Sequence, residues 1–283
     1  MRMLYASCRY DPFDRDAGSG VDFNMYEAFQ QLGVELTHLG PFKDHRSLPE
    51  KLYRKAHRLF SRKLTAKFSK AYLHSCARIV DEAVARYQPD AIFTHNLIPP
   101  VYSRSSTSVI YKTDSILSNM HELCPTYSRL EFLHMLEWER KALQRSALIV
   151  TVNDWARKAL LKDFHISTSR IMMMPISSSL PAEVIPQEED KTISPNDLHL
   201  LSVGRRYHVK DSDKSIAITR MLRSKGINAQ LRVVGLDGEN ADGVEFMGLY
   251  KKELCKKELT WRSMAENILA AFECVRTDEV TKK

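Results

Sequence analysis

The sequence predicts an α/β protein with two doubly wound halves, and three observations lead to this prediction. Short apolar runs of strand length alternate with longer segments whose apolar residues recur at helical spacing. A stretch rich in Pro, Ser and acidic residues, 175–197, interrupts the alternation as a linker does. The strand–helix–strand rhythm then restarts at residue 199, which indicates a second α/β half.

The first half opens with a βαβ unit. Residues 3–6 are an apolar run that predicts a buried strand, and a polar loop ending in Gly18-Ser19-Gly20 follows. The next segment, VDFNMYEAFQQLG, has helical spacing and ends at Gly33, and 34–39 alternates like a strand. Further strands are predicted at 91–94, 109–111 and 147–152, with helices between 49 and 87, over 132–146 and over 153–164.

The second half is shorter. Three strands are predicted at 199–203, 230–234 and 244–247, with a helix over 213–225. An amphipathic helix over 261–272 follows. Three strands amount to half of a doubly wound sheet, so we expect an exposed sheet edge in this half.

The composition is that of a globular protein, with 43% apolar and 27% charged residues. No stretch approaches the roughly 18 apolar residues of a membrane-spanning helix. The N-terminal residues MRMLYASCRYDPFDRD lack the apolar core of a signal peptide, so a cytoplasmic location is expected. The five cysteines are an odd number and none has CxxC spacing, which argues against a disulfide framework and a metal site.

Positive charge is concentrated in one segment. Residues 43–75 hold ten Lys and Arg against two acids, a local net charge of +8 that exceeds the +7 of the whole chain. Such a segment favours an anionic partner, and a membrane surface suits it better than nucleic acid because its few aromatic residues fall on the apolar side. A solvated helix face is the alternative.

Two loops have the composition of anion-binding sites. Gly18 and Gly20 precede a helix and can turn backbone N–H groups towards an anion, although glycine turns are common at such corners. Arg205 and Lys210 follow a strand and precede a helix, where two cations can hold a diphosphate. A solvated basic loop is the alternative for this second pair.

Asp114 follows a predicted strand, where a carboxylate can orient a hydroxyl or act as a base. A helix cap or turn aspartate is the alternative. His95 and His121 lie in neighbouring loops and have weaker claims to a role.

After the linker, the chain continues with the segment LHLLSVGRRYHVKDSDKSIAITRMLRSKGINAQLRVVG. This segment resembles the start of the C-terminal domain in retaining GT-B glycosyltransferases of the family 4 (group 1) kind. Arg205 and Lys210 fall on the pair that grips the donor diphosphate in that family. Three more segments resemble parts of its N-terminal domain: GSGVDFNMYEAFQQLGVELTHLG, VIYKTDSI, and ERKALQRSALIVTVNDWARKALLKDFHISTSRIMMMP. In the second of these, Asp114 takes the place of an aspartate that faces the acceptor.

The resemblance implies a GT-B-like fold with two Rossmann-like domains: an acceptor-side domain over 1–182, a donor-side domain over 183–259, and a closing helix in 260–283 that packs back on the first. It implies transfer of a sugar, with retention, from a nucleotide-diphosphate sugar to an unknown acceptor such as a lipid-linked or envelope glycan. The donor is a substrate, and neither a metal nor a cofactor is implied.

The sequence departs from the family pattern in its second domain. In the family, the strand that matches VEFMG is followed by a long segment whose paired glutamates contact the donor sugar and ribose. Here residues 249–260 alone join Gly248 to Trp261, where TWRSMAENILAAFE resembles the closing helix. We therefore expect a truncated second domain and impaired or absent activity. The alternative function is a non-catalytic binding protein that uses 43–75 on the inner face of a membrane or another anionic partner.

Overall fold

The computed structural model describes the following residues: 1–7, 10–15, 17–42, 48–60, 69–95, 101–123, 127–175, 196–204, 212–247, 266 and 269. Contacts group the chain into two compact units, Met1–Ser179 with Glu258–Lys283, and Leu180–Lys257. The domain boundaries drawn from the sequence stay predictions, since they fall outside the described residues.

The first unit is built on a sheet in which all pairs of neighbouring strands are parallel. Its described strands lie in the order β2-β1-β3-β4-β5-β6, so β1 lies inside the sheet between β2 and β3. The strands are β1 (Arg2–Ala6), β2 (Glu35–Leu39), β3 (Ala91–Thr94), β4 (Ser108–Thr113), β5 (Ser146–Thr151) and β6 (Ile171–Met173). The helices are α1 (Val21–Gln31), α2 (Leu48–Phe60), α3 (Lys70–Tyr87), α4 (Leu117–Leu123), α5 (Arg129–Arg145) and α6 (Asp154–Lys162).

Both faces of this sheet are buried. Met3 and Tyr5 of β1 pack in one apolar cluster with Phe29 of α1. Leu4 and Ala6 of the same strand belong to a second cluster, to which α3 and α6 also contribute. Parallel sheets have helices on both faces, which explains why these strands read as continuous apolar runs in the sequence.

Sequence signals mark the start of α6 and the end of α1, whereas α5 begins at Arg129, three residues before its predicted start. Asn153 caps α6, because its side chain accepts a hydrogen bond from the backbone N–H of Ala156 at 2.7 Å. Gly33, with φ of +76°, follows α1 and provides the left-handed turn into β2. The predicted segment between 49 and 87 contains two helices, α2 and α3.

The expected α/β alternation is confirmed. The sequence analysis missed β6, which has three residues, and α4, which has seven. Both are too short to show a periodicity. Most of the predicted linker and most of the helix predicted over 261–272 lie outside the described residues.

The second unit contains a smaller parallel sheet, with the described strands in the order β7-β8-β9. Its elements are β7 (Asp197–Val203), α7 (Ser212–Ser224), β8 (Asn228–Val234) and β9 (Val244–Phe246). Ile216 of α7 packs on Leu231 and Val233 and covers one face. On the other face Leu201 and Val203 are 67% and 61% exposed, so apolar side chains of this face are open to solvent.

No helix within the described ranges combines the length and the apolar character needed to cross a bilayer.

Glu139 of α5 is a buried carboxyl group that joins two helices. Its two carboxylate oxygens lie 3.2 and 3.0 Å from the backbone nitrogen of Leu117, which donates a hydrogen bond at the start of α4. Burial raises the pKa of Glu139 from 4.5 to about 8, although the Leu117 hydrogen bond acts in the opposite direction.

Shortening a side chain should affect stability differently on the two faces of the second sheet. Leu201→Ala removes a side chain that is 67% exposed, and we expect the free energy of unfolding to change by less than about 0.5 kcal/mol. Leu231→Ala empties a site that is 2% exposed and should cost about 2–5 kcal/mol. Urea denaturation, with hydrogen exchange of the β8 amides, measures both. Equal losses would mean that the open face is covered in solution.

The stability should depend on pH through Glu139. The carboxyl group of Glu139 keeps its proton to a higher pH in the folded state than in the unfolded chain. The free energy of unfolding therefore falls as the pH rises from 4.5 to about 8. The fall is at most about 4–5 kcal/mol. Glu139→Gln should remove this slope, and Glu137→Gln, an exposed neighbour paired with Lys141, should leave it. Urea denaturation at several pH values tests this, and an unchanged slope in Glu139→Gln contradicts it.

Candidate functional site

The carboxyl edge of the first sheet collects the polar residues of the first unit that the sequence analysis selected. Gly18 and Gly20 lie in a short 3-10 segment, Ala17–Gly20, here called the glycine turn, which leads into α1. Asp114 directly follows β4. Since all strands of the sheet are parallel, their carboxyl ends meet at one edge, where ligands of such sheets bind. Arg205 and Lys210 lie outside the described residues.

Three of the four residues of the glycine turn have a left-handed backbone. Gly18, Ser19 and Gly20 have φ of 57°, 63° and 73°, a region that glycine adopts without a steric penalty. A Cβ atom added at Gly18 would lie 2.6 Å from the ring of Tyr10. The amide of Asn24 donates a hydrogen bond to the carbonyl of Gly20 at 2.6 Å, which anchors the turn to α1.

The N-terminus of α1 has no side-chain cap. Its N-cap residue is Gly20, which supplies no side-chain acceptor for the first amides of the helix. These N–H groups and the partial positive charge of the helix end attract anions. The glycine turn and α1 together therefore have the geometry of an anion site.

Asp22, in the first turn of α1, points its carboxylate into the protein. The hydroxyl of Tyr5 donates a hydrogen bond to its Oδ1 at 3.0 Å, and Nδ1 of His95 lies 3.9 Å from the same oxygen. Burial raises the pKa of Asp22, whereas the Tyr5 hydrogen bond and the nearby Lys112 lower it. The carboxylate is thus part of a buried polar cluster beneath the sheet edge.

Lys112, near the end of β4, is the cation of this cluster and is buried. Burial lowers the pKa of its ammonium group, and the carboxylates of Asp114 and Asp22 raise it in return. A buried cation is tolerated when carboxylates compensate for its lost hydration. Lys112 therefore links the buried Asp22 electrostatically to Asp114 at the surface.

His95 follows β3 and lies at the centre of the edge. Burial lowers its pKa well below the usual range, and the Lys112 cation adds to this effect, so the imidazole is neutral at physiological pH. Among the described residues, its buried Nε2 atom has no hydrogen-bond partner. A neutral imidazole nitrogen of this kind can donate to or accept from a ligand hydroxyl.

Asp114 is held from two sides and leaves its carboxylate exposed. Asn153, the cap of α6, donates from Nδ2 to the Asp114 carbonyl at 2.9 Å. The hydroxyl of Ser115 donates to its Oδ1 at 3.2 Å. The carboxylate is exposed at the edge of the sheet.

The sequence analysis gave no role to Asp22 and Lys112 and only a weak claim to His95. A signal was present for Lys112, since a lysine inside the apolar strand VIYKT must be buried or lie at the strand end. Asp22 lies on the same helical side as Met25 and Phe29, which is an unusual place for an acid. Within the described ranges, no group of three His, Cys, Asp or Glu residues could hold a metal ion.

The chain matches the family model Glycosyltransferase Family 4 over residues 23–176. This range contains His95, Lys112 and Asp114, and it begins just after the glycine turn. Comparison with curated proteins found no match.

Solved structures share the fold. The chain is similar to the lipopolysaccharide outer core galactosyltransferase WaaB in its apo form, with 15% identity and a TM-score of 0.50, over 88% of this chain and 68% of that one. It is also similar to sucrose-phosphate synthase from Thermosynechococcus elongatus, with 10% identity and a TM-score of 0.54, over 96% and 73% of the two chains. At these identities the likeness shows the fold, which is α/β and GT-B-like, with Rossmann-like parallel sheets.

Because the match covers 154 of the 283 residues, more than half of the sequence, the chain belongs to Glycosyltransferase Family 4.

Proposed function

We propose that this glycosyltransferase-like chain transfers a sugar from a nucleotide-diphosphate sugar to a hydroxyl group of an acceptor, with retention at the anomeric carbon. The main support is the carboxyl edge of the first unit. There the neutral His95 lies beside Asp22 in the first turn of the uncapped helix α1, and the exposed Asp114 follows the neighbouring strand β4, so that one edge offers partners for an anion and for hydroxyl groups. Sugars and their phosphates present both kinds of group.

Each residue of the edge has a separate task in this proposal. Gly18 and Gly20 hold the turn whose amides receive an anionic group of a substrate. His95 hydrogen-bonds a hydroxyl through Nε2, and its neutral state allows it to donate or accept. Asp114 orients the acceptor hydroxyl and is the candidate base for its proton. Lys112 is a positioning residue, because its cation interacts with Asp114 and Asp22 from inside the protein.

The donor side of the proposal depends on Arg205 and Lys210. Their role comes from the sequence resemblance, in which this pair grips the donor diphosphate. Two cations there would neutralise the charge that builds up on the leaving diphosphate, the main electrostatic task in breaking the bond to the sugar. The proposed reaction needs no metal ion because these cations take that role.

The proposal includes impaired activity. The glutamate segment that contacts the donor sugar and ribose in the family is missing between Gly248 and Trp261. We expect weak donor binding and slow or absent turnover. A lipid-linked or envelope glycan is the proposed acceptor class, and the cytoplasm is the proposed setting.

A non-catalytic binding role on an anionic membrane surface is the second candidate. One observation favours it: α2 carries exposed leucines next to lysines.

The donor site can be tested without knowing the acceptor. In thermal-shift and calorimetry measurements with UDP-, GDP- and ADP-sugars, we expect one nucleotide to raise Tm saturably. Arg205→Ala/Lys210→Ala should abolish that rise, because it removes both phosphate partners. The control variant Arg220→Ala/Lys225→Ala removes the same charge from exposed positions at the end of the second unit's helix. This variant should retain the rise in Tm. Absence of binding by every donor sugar contradicts the transferase proposal.

The glycine turn has a natural control elsewhere in the chain. Gly18 and Gly33 both have left-handed φ angles. A Cβ atom added at Gly33 would have no neighbour within 4 Å, whereas one added at Gly18 would clash with Tyr10. Both alanine variants should lose roughly 1 kcal/mol of stability from backbone strain, and Gly18→Ala should lose more because its Cβ also clashes with Tyr10. Gly18→Ala should also weaken the Tm rise caused by pyrophosphate and by the nucleotide identified above, and Gly33→Ala should not. Equal ligand responses in the two variants would remove the turn from the site.

A further inference from the structure

The helix α2 exposes its most apolar side. Leu48, Leu52 and Leu59 are 74%, 66% and 75% exposed, respectively. At 3.6 residues per turn these three side chains, here called the leucine stripe, fall within about 40° of arc around the helix. A stripe of this kind normally packs on a protein core, so its exposure calls for a partner.

The opposite side of α2 is already in contact with the first unit. The hydroxyl of Tyr53 donates a hydrogen bond to Oε1 of Glu131 on α5 at 2.8 Å. Nδ1 of His57 is buried. Tyr53 and His57 lie roughly 120–160° around the helix from the centre of the leucine stripe. These contacts orient α2 so that the stripe faces outward.

Cations border the leucine stripe. Lys51 and Lys55 are exposed and lie roughly 60° and 20° to one side of Leu48. The thirteen residues of α2 contain four Lys or Arg and one acid, Glu50. Lysine stems can lie along an apolar surface while their ammonium groups reach a charged layer.

We propose that α2 docks on an anionic lipid bilayer, with the leucine stripe inserted among the headgroups and the lysines bound to lipid phosphates. Exposed leucines flanked by lysines match a surface that is apolar inside and negative outside. Nucleic acid matches only the charge, because three exposed leucines gain nothing from a phosphate backbone or from base stacking. The docking surface assigns residues to the second candidate function and does not depend on the proposed transferase function.

A second region of exposed apolar side chains lies next to the contact that orients α2. Leu130 and Leu133, on either side of Glu131 in α5, are exposed as well. Because Glu131 bonds Tyr53, the first turns of α5 are neighbours of α2. The apolar surface available to a bilayer therefore extends beyond one helix.

Vesicle co-sedimentation of the full chain tests the proposal. We expect binding to vesicles of phosphatidylcholine and phosphatidylglycerol to be at least roughly tenfold tighter than to phosphatidylcholine alone, since each lysine near an anionic surface contributes about 1 kcal/mol, or about fivefold. About 0.5 M NaCl should weaken it by screening. No binding, or equal binding to both vesicles, overturns the proposal. So does an oligonucleotide that binds more tightly and releases the chain from the vesicles.

Two variants separate the contributions of the stripe and of the charge. Leu48→Gln/Leu52→Gln/Leu59→Gln keeps residues of good helix propensity, and Lys51→Glu/Lys55→Glu reverses the flanking charge. Each should weaken binding to anionic vesicles at least about tenfold.

Matched controls come from the second unit. Leu201→Gln/Val203→Gln removes similarly exposed apolar side chains, and Arg220→Glu/Lys225→Glu reverses two exposed cations. Both should bind within about twofold of the unchanged chain. If the controls lose as much as the α2 variants, binding is non-specific and the proposal is wrong.

Hydrogen exchange tests the proposal on the unchanged chain and so does not depend on the folding of any variant. Anionic vesicles should slow exchange in residues 48–60 and leave α3 unaffected. Protection that occurs only outside α2 contradicts the proposal.

Discussion

Parallel strand pairing is the constraint on which the first unit depends. Each strand must start from the same end of the sheet, so the chain crosses back over a face between strands and leaves both faces covered. The same constraint gathers the residues that follow the strands at one edge. His95 after β3, Asp114 after β4 and Asn153 after β5 are far apart in the sequence, yet parallel pairing brings them to a common edge. The part of the candidate site that follows the strands is thus a consequence of the sheet, and the left-handed glycine turn before α1 completes it.

The fold was predictable because its signals are local and repeated. The strand 91–94 is a short apolar run next to Pro89, and α6 is preceded by Asn153, a residue type that favours caps. Neither β6 nor α4 carries such a signal, since β6 acquires its strand geometry by pairing with β5. The sequence did not predict which side of α2 is exposed either. An amphipathic pattern shows which side of a helix is apolar. Only the contact of Tyr53 shows that the first unit binds the side of α2 opposite to its leucines.

The candidate site was only partly predictable, because its buried half depends on contacts between distant residues. Glycines before a helix and an aspartate after a strand are visible as patterns, and the structure puts Gly18 and Asp114 at the expected edge. The interaction of Asp22 with His95 joins residues 73 positions apart, and no local pattern reports it. Lys112 shows how the two parts belong together. Its buried cation interacts with both carboxylates, so the exposed Asp114 and the buried Asp22 share one electrostatic environment.

The central position of β1 has a consequence for synthesis of the chain. Residues 2–6 leave the ribosome before the other described strands of the sheet, and β2 can pair with them soon afterwards, but the partner on the other side is residues 91–94. Until that segment emerges, one edge of the β1–β2 pair keeps its backbone groups unpaired, which is the state in which strands associate with other chains. The order of strands in the finished sheet thus sets a long interval during translation in which the nascent chain depends on dilution or on chaperones to remain monomeric.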